Sequence, residues 1–511
     1  MKNLLRFFSS RVVLVGTPLL IQVFFMIVVI LKFSSYFVYV YTILTLLSGA
    51  ALLKILTGKS NPAYKIAWII PIMLFPIFGG LFYLLFGGNN SSKRMKRKMH
   101  DIEERMTRLL GQNEAVIEEI QSLDRSAANQ SRYIEKYSFC PVYNNTTSEY
   151  LSPGECMFER LLQELDKAER YIFLEYFIIE EGVMWDAVLN ILVKKVQQGV
   201  DVRVIYDDIG CLLTLPYGYD KLLESMGIKC SAFNRFVPIL SGRINNRDHR
   251  KIAVIDGGTA FTGGINLADE YINTYQKHGH WKDSAILIKG EAVWSFTVMF
   301  LSLWSYQRKT EEDFEHFRPL RKQTETFVTD GYVQPFNDSP INDELIGETV
   351  YLNLINRAER YIYINTPYLI LDYEMIIALC AAAKRSVDVR IITPHIPDKW
   401  FVHSVTRSNY PLLVENGVKI YEYIPGFNHA KSLAVDDEMG VVGTINLDYR
   451  SLFLHFECGV WLYQTQSILE VKKDFLKTLD QCQLITLEYC RSIRWYKSLG
   501  RIFLRIFAPL M

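Results

Sequence analysis

The sequence has no pair of cysteines at the C-x-x-C spacing, and its charge is almost balanced. The missing cysteine pair excludes the usual zinc ribbon and compact disulfide frameworks, which favours reduced thiols in a domain facing the cytosol. A total of 56 basic and 55 acidic residues gives a net charge of +1, which disfavours nucleic-acid binding. The eight cysteines are Cys140, Cys156, Cys211, Cys230, Cys380, Cys458, Cys482 and Cys490.

Long hydrophobic runs are present, by contrast, near the start of this chain of 511 residues. Val12–Leu31 contains no charged residue and is about as long as a bilayer crossing requires, roughly 20 residues. A signal peptide is the alternative, but no small-residue cleavage site follows and a second apolar run, Ser34–Leu56, begins almost at once. We therefore predict two membrane spans, at about 12–31 and 34–56, that form a hairpin.

A third apolar stretch, Ile66–Phe86, contains two prolines and a pair of glycines. Two spans followed by a re-entrant or interfacial stretch put every nearby basic cluster on the cytoplasmic side, whereas a third full span does not. Both arrangements stay open. We predict a helical membrane region over residues 1–92 and a charged helical connector over 93–140.

One five-residue motif occurs twice with identical spacing, H-x-K-x4-D-x6-G-x2-N. In an extended chain, the histidine and lysine of each motif point to the same side, so an imidazole and an ammonium reach one ligand together. The glycine allows close approach of the backbone, and the asparagine offers an amide at the same place. The first copy is His249, Lys251, Asp256, Gly263 and Asn266, and the second is His429, Lys431, Asp436, Gly443 and Asn446.

The repeat extends beyond the motifs. AERYIFLEYF at 168–177 matches AERYIYINTPY at 358–368, and VDVRVIYDD at 200–208 matches VDVRIITPH at 387–395. Each half has the pattern of a strand, a helix, a second strand and then the motif, which predicts an α/β fold with a mostly parallel sheet. We place the halves at 141–325 and 326–490, with motif regions 244–271 and 424–451.

The doubled motif resembles the signature of the phospholipase D superfamily. The stretch WKDSAILIKGEAV at 281–293, the sequence NLDYRSLFLHFE at 446–457 and the hydrophobic N-terminus are similar to bacterial cardiolipin synthases. This resemblance covers nearly the whole chain. It implies two α-β-α halves with mixed sheets related by a pseudo-twofold axis, in a multi-pass protein of the bacterial cell membrane whose catalytic region faces the cytoplasm.

The resemblance also implies roles for the motif residues. One histidine attacks phosphorus and forms a phosphohistidine, while the other protonates the departing alcohol and deprotonates the incoming one. By family habit we assign the nucleophile to His249 and the acid/base to His429, with Lys251 and Lys431 stabilising the phosphate charge. No metal or other cofactor is expected.

Further residues complete the expected site. We predict that Asp256 and Asp436 complete the catalytic motifs by bracing them, and that Asp283 and Glu457 each orient an imidazole. Asn266 and Asn446 are expected to bind or orient the substrate. His278 and His280 are candidates to line the site, whereas His395, His403 and His455 are interpreted as structural residues or residues at its rim.

The motif alone does not choose among phospholipid, nucleic acid and other diesters. Membrane anchoring favours a lipid, and the resemblance implies reversible transfer from one phosphatidylglycerol to another, giving cardiolipin and glycerol. Hydrolysis, transfer to another alcohol and a non-catalytic membrane role stay open as alternatives. The basic, aromatic tail Arg491–Met511 is expected to lie on an anionic membrane surface or to pack on the enzyme. The sequence does not indicate the oligomeric state.

Overall fold

The computed structural model describes most of the chain outside the first 36 residues. Its described residues are 37–58, 61–75, 79–87, 101–102, 104–235, 245–319, 331–341 and 344–510, together with the isolated residues Phe24, Val28 and Thr329.

Three helices form a small apolar cluster near the N-terminus: α1 (Phe37–Thr57), α2 (Pro62–Leu74) and α3 (Gly79–Phe86). The ring centroids of Trp68 and Tyr83 lie 5.4 Å apart between α2 and α3. Asn61 caps α2 and donates a hydrogen bond of 3.2 Å to Asp372 in the C-terminal half. The helical unit therefore docks on the α/β part of the chain.

Within the described residues, no helix combines the length and apolar character that a membrane crossing needs. The predicted span at 12–31 lies outside the described residues, apart from Phe24 and Val28. The predicted span at 34–56 overlaps α1 and is not confirmed. The third apolar stretch, Ile66–Phe86, is divided between α2 and α3.

The first α/β half is a seven-stranded sheet with helices packed on it. Its main elements are β1 (Thr146–Leu151), α6 (Gly154–Asp166), β2 (Tyr171–Tyr176), α7 (Val183–Gln197), β3 (Asp201–Asp207), α8 (Tyr219–Ser225), β4 (Lys229–Phe233), β5 (Lys251–Ile255), β6 (Thr259–Gly263), β7 (His280–Lys282), β8 (Ala285–Gly290) and α9 (Val293–Arg308), preceded by α4 (Glu114–Leu123) and α5 (Arg125–Ser138).

The second half repeats this order around an eight-stranded sheet. Its elements are β9 (Tyr332–Asp338), α10 (Ile346–Arg357), β10 (Tyr361–Asn365), α11 (Tyr373–Lys384), β11 (Asp388–Pro394), α12 (Trp400–Glu415), β12 (Lys419–Tyr423), β13 (Gly426–Asn428), β14 (Ser432–Val435), β15 (Met439–Gly443), α13 (Tyr449–Phe453), β16 (Glu457–Tyr463), α14 (Gln466–Leu479) and β17 (Cys482–Ile485), followed by α15 (Leu487–Arg491) and α16 (Trp495–Ile506).

The sheets are mixed, as expected, but the prediction that they are mostly parallel was wrong. Among the described strands, only the β2–β3 and β3–β4 pairs of the first sheet are parallel, as are β10–β11 and β11–β12 of the second. The motif strands are antiparallel because β5 and β6, like β14 and β15, are joined by tight turns. The parallel pairs in each sheet are formed by strands that precede the motif in sequence.

The two halves share one apolar core. Helix α9 is buried on every side from Val293 to Trp304, as expected of a helix enclosed between layers. Phe300 of this helix packs in the same buried cluster as Val460 of β16 and Phe475 of α14. The connector helices α4 and α5 pack with the second half, although they precede the first in sequence.

The motif aspartates lie at the far end of each motif strand from the histidine and lysine. Asp256 follows β5 and accepts hydrogen bonds of 2.8 Å from the backbone N–H groups of Glu169, Arg170 and Tyr171. Asp436 follows β14 and accepts equivalent bonds, of 2.7 to 2.9 Å, from 359–361. Each aspartate therefore ties the turn of its motif to the start of the first strand of its half.

We expect Asp256→Ala to lower the free energy of unfolding by about 2–4 kcal/mol, because three backbone donors lose a charged acceptor. Denaturant unfolding of the full-length protein in detergent measures this change. Asp166→Ala is the control: Asp166 makes a surface ion pair with Lys194, so its removal leaves the midpoint nearly unchanged. An unchanged midpoint in Asp256→Ala together with lost activity would instead indicate a chemical role.

Candidate active site

Two histidine–carboxylate pairs cross between the halves. His249 Nδ1 lies 2.9 Å from Glu457 Oε1, and His429 Nδ1 lies 2.7 Å from Asp283 Oδ2. Each imidazole is therefore held by a carboxylate from the other half. With the Nδ1 proton donated to the carboxylate, Nε2 keeps its lone pair and is available for chemistry.

Backbone contacts between the halves set this geometry. The N–H of His249 donates to the carbonyl of Phe456 at 2.9 Å, and the N–H of His429 donates to that of Lys282 at 2.6 Å. Phe456 and Lys282 immediately precede Glu457 and Asp283. The segment entering each motif therefore runs beside the segment that carries the opposite carboxylate.

Both motif lysines are buried at the same site. Lys251 Nζ donates to the carbonyl of His249 at 2.6 Å, and Lys431 Nζ donates to that of His429. Burial lowers the pKa of Lys251 to about 8, against the opposing effect of Glu457 and Asp283. Burial likewise lowers the pKa of Lys431 to about 7, despite the nearby Asp283 carboxylate. An anion bound between the lysines would offset the cost of burying these charges.

Burial lowers the pKa of both motif histidines. Burial, followed by the Lys251 charge, holds the pKa of His249 well below its ordinary value. Burial lowers the pKa of His429 to about 4, but the Asp283 charge and hydrogen bond act in the opposite direction. Burial also raises the pKa of Glu457 to about 8, against the effect of the Lys251 charge.

The residues after the motif glycines support the carboxylates in different ways. A Cβ atom at Gly264 would lie 2.0 Å from Asp283 Oδ1, so this glycine leaves room for the carboxylate. The equivalent residue of the second half is Thr444, whose hydroxyl donates to Glu457 Oε2. Gly264 thus leaves space for Asp283, whereas the hydroxyl of Thr444 orients Glu457.

The surroundings of the two imidazoles also differ. The ring of His249 has Phe177 at 5.1 Å and His455 at 5.6 Å between centroids. The ring of His429 is surrounded by aromatic residues, with Trp281 at 5.1 Å, Tyr271 at 5.5 Å and Phe427 at 5.8 Å. Asymmetry within the repeated frame allows the histidines to have different roles.

The predicted asparagines are both buried close to their motifs. Asn266 Nδ2 donates to the Tyr271 hydroxyl at 2.7 Å, and its Oδ1 accepts from the backbone N–H of Ile178 at 2.9 Å. Asn266 is thus committed to protein contacts. Asn446 Oδ1 has no hydrogen-bond partner among the described residues.

The remaining histidines divide into two groups. His278 lies near the site, with ring centroids 6.3 Å from Trp281, and His280 Nδ1 lies 3.0 Å from the Tyr423 hydroxyl. His395 pairs with Glu422 at 2.9 Å. His403 is buried in α12, where burial lowers its pKa to about 4.

His455 was interpreted from the sequence as a structural residue or a residue at the rim of the site, and its burial speaks only against the rim position. It is buried beside His249, two residues before Glu457. Trp281 stands two residues before Asp283 and lies beside His429, so an alignment of the two carboxylate segments would have indicated this position.

The described residues also include one group with the composition of a metal site. Ligand atoms of His249, His455 and Glu457 lie within 4.8 Å of one another. One pair in this group is already joined by the His249–Glu457 hydrogen bond. The expected absence of a metal therefore stays a prediction.

Comparison with known proteins adds to this geometry. A family model described as "Cardiolipin synthase, PLD-like domain" matches residues 161–304 and 351–479, and a phospholipase D–nuclease N-terminal model matches 46–88. Among solved structures, phosphatidylserine synthase from Haemophilus influenzae is similar in fold, with a TM-score of 0.56 and 14% identity. It covers 75% of this chain and 97% of its own. These matches define a phospholipase D-like fold.

Full-length relatives are more specific. A cardiolipin synthase from Alkalihalophilus pseudofirmus is 33% identical over 88% of this chain and 90% of its own length. A cardiolipin synthase from Geobacillus sp. is 36% identical over 86% of this chain and 88% of its own length. An uncharacterized protein from Streptococcus mutans is 42% identical over 90% and 99%. The chain therefore belongs to the cardiolipin synthase family, a group of phosphatidyltransferases within the phospholipase D superfamily.

We expect Asp283→Asn to reduce kcat on the order of 10²-fold or more, because the amide no longer holds the His429 ring and its proton in place. The pH dependence of kcat distinguishes positioning from a purely structural effect: the limb assigned to the histidine should move to lower pH. Gly264→Ala is a second test, since its methyl group displaces the same carboxylate. Unaltered kcat in both variants would contradict the role of Asp283.

We expect kcat/KM for an anionic phosphodiester to fall as the pH rises through 7 to 8. The lysine pKa values of about 7 and 8 mean that both ammonium groups are charged below this window and are lost above it. Initial rates between pH 6 and 9 measure this effect. Enzyme held at pH 9 should recover fully at pH 6.5, which separates titration from unfolding. A constant kcat/KM across the window would contradict the assignment.

Proposed function

We propose that this protein transfers the phosphatidyl group of one phosphatidylglycerol to a second, through a phosphohistidine. The observation that carries the proposal is the crossed pair of contacts, His249 with Glu457 and His429 with Asp283. Each half supplies one imidazole and one carboxylate, and two lysines are buried between them. This set of groups suits two successive displacements at one phosphorus atom.

In the first displacement, His249 Nε2 attacks the phosphorus of the donor lipid. A P–N bond forms while the P–O bond to the headgroup glycerol breaks. His429 gives a proton to the departing glycerol oxygen, and Lys251 and Lys431 stabilise the charge on the other phosphate oxygens.

In the second displacement, a headgroup hydroxyl of another phosphatidylglycerol attacks the same phosphorus. His429 removes the hydroxyl proton, the P–N bond breaks, and His249 returns to its free form. Two phosphatidylglycerols thus give one cardiolipin and one glycerol. The reaction is reversible because one phosphodiester replaces another.

The assignment of roles rests on the charges near each ring. The Asp283 charge and hydrogen bond raise the pKa of His429 against the larger effect of burial, and an anionic diester bound beside the ring would further favour the protonated form that a general acid requires. Burial and surrounding positive charges keep His249 neutral, as a nucleophile requires. This difference supports His249 as the nucleophile.

We further propose that the enzyme works at a membrane, held by its N-terminal region and by α16, with the catalytic halves on the cytoplasmic side. Helix α16 exposes Trp495, Leu499 and Phe503 and carries three basic residues, Lys497, Arg501 and Arg505. Helix α16 packs against α12 and α2, and α12 begins at the exposed Trp400. An apolar and basic surface of this kind suits an anionic leaflet.

Incubation of the full-length protein with phosphatidylglycerol alone tests the proposed reaction. We expect cardiolipin and glycerol in equal amounts, and a loss of at least about 10³-fold in His249→Ala and His429→Ala. Phosphatidic acid as the main product would instead establish hydrolysis.

Mass spectrometry of alkali-quenched enzyme tests the assignment of the nucleophile. We expect a phosphatidyl adduct on His249. The same adduct on His429 would reverse the roles of the two histidines.

A further inference from the structure

The carboxylate segments of the two halves differ at one equivalent position. Trp281 precedes Asp283 by two residues and lies beside His429, whereas His455 precedes Glu457 by two residues and lies beside His249. An indole on one side is thus replaced by an imidazole on the other. The phosphoryl-transfer steps proposed above give no role to this third imidazole.

His455 is buried, and both of its ring nitrogens are without a hydrogen-bond partner among the described residues. Glu457 Oε1 lies 3.8 Å from His455 Nδ1, too far for a hydrogen bond, and Glu457 is already bonded to His249 and Thr444. A buried polar ring without a partner costs free energy unless a ligand satisfies it.

Arg450 lies one helical turn from His455, since the N–H of His455 donates to the carbonyl of Arg450 at 2.9 Å. Its guanidinium makes no hydrogen bond or ion pair within the described part of the chain. Asp448 is close by, but its carboxylate accepts from the backbone N–H of Ser451 at 2.8 Å. The half-buried Arg450 guanidinium is close enough that its charge, after burial, is the largest influence that lowers the pKa of His455.

The proposed reaction needs a second anion site at this place. The acceptor phosphatidylglycerol brings its own phosphate, which remains linked through glycerol to the attacking oxygen. Lys251 and Lys431 are occupied by the phosphate that reacts. A guanidinium fork is suited to bind a second phosphodiester.

We propose that Arg450 and His455 bind the phosphate of the acceptor lipid and so direct its headgroup hydroxyl to the phosphohistidine. This inference rests on the proposed function and names its acceptor subsite. It also explains how a lipid alcohol competes with water: binding at the subsite holds the hydroxyl close to phosphorus.

An apolar cleft lies beside the same helix. Tyr449, the neighbour of Arg450 in α13, lines an apolar cleft of about 200 Å³ between the second half and the terminal segments. Ile66 of α2, Ile370 and Ile506 of α16 also line this cleft. The apolar part of the acceptor and its phosphate would then contact adjacent residues of one short helix.

The test compares two soluble acceptors with phosphatidylglycerol as donor. Glycerophosphoglycerol carries the acceptor phosphate without acyl chains, whereas labelled glycerol carries no phosphate. The measured quantity is the ratio of kcat/KM for glycerophosphoglycerol to that for glycerol exchange. We expect Arg450→Gln and His455→Gln to lower this ratio about 10-fold or more, and Arg450→Lys to give an intermediate value.

Arg125→Gln is the matched control, because Arg125 is an exposed arginine in the first turn of α5, and its ratio should equal that of the wild type. An unchanged ratio in Arg450→Gln or Arg450→Lys would overturn the subsite. If Arg450→Gln loses both activities, the ratio in Arg450→Lys decides. Failure of the proposed function is distinct, since the wild type would then form neither cardiolipin nor exchanged phosphatidylglycerol.

Discussion

The two hydrogen bonds that cross between the halves are the interactions on which the site depends. His249 bonds to Glu457 and His429 to Asp283, so neither half holds its own histidine in place. The shared core around α9 serves the same end, since it fixes the distance between the motif strands. A change that separates the halves would break both histidine–carboxylate hydrogen bonds at once. One phosphorus atom can therefore meet a nucleophile and an acid in a single rigid frame.

Burial gives this frame its chemical character. Lys251 and Lys431 are buried, so their charges are costly until an anion binds, and burial also lowers the pKa values of both motif histidines. In the proposed reaction, the two lysines bind the anionic diester while His249 attacks as a neutral imidazole. The proposed binding of a second phosphate by Arg450 and His455 would favour a lipid acceptor over water, because water carries no phosphate.

Much of the α/β fold could be predicted from the sequence because its signals are local and doubled. The strands at β2 and β10 and the motif strands follow from short branched runs and from identical spacing in both halves. The motif strands are antiparallel because tight turns join them. The alternation of strands and helices before each motif predicted parallel strands instead. The position of His455 and the packing of α4 on the second half depend on contacts between distant segments, and no local periodicity records these.

The central claim is that two histidines act in succession at one phosphorus atom. The stereochemical course at that atom tests it most directly, with phosphatidylglycerol that carries sulfur in place of one non-bridging phosphate oxygen in a single configuration. Two in-line displacements through a phosphohistidine predict net retention of configuration in the cardiolipin formed. Inversion would show a single direct displacement by the acceptor and would contradict the account.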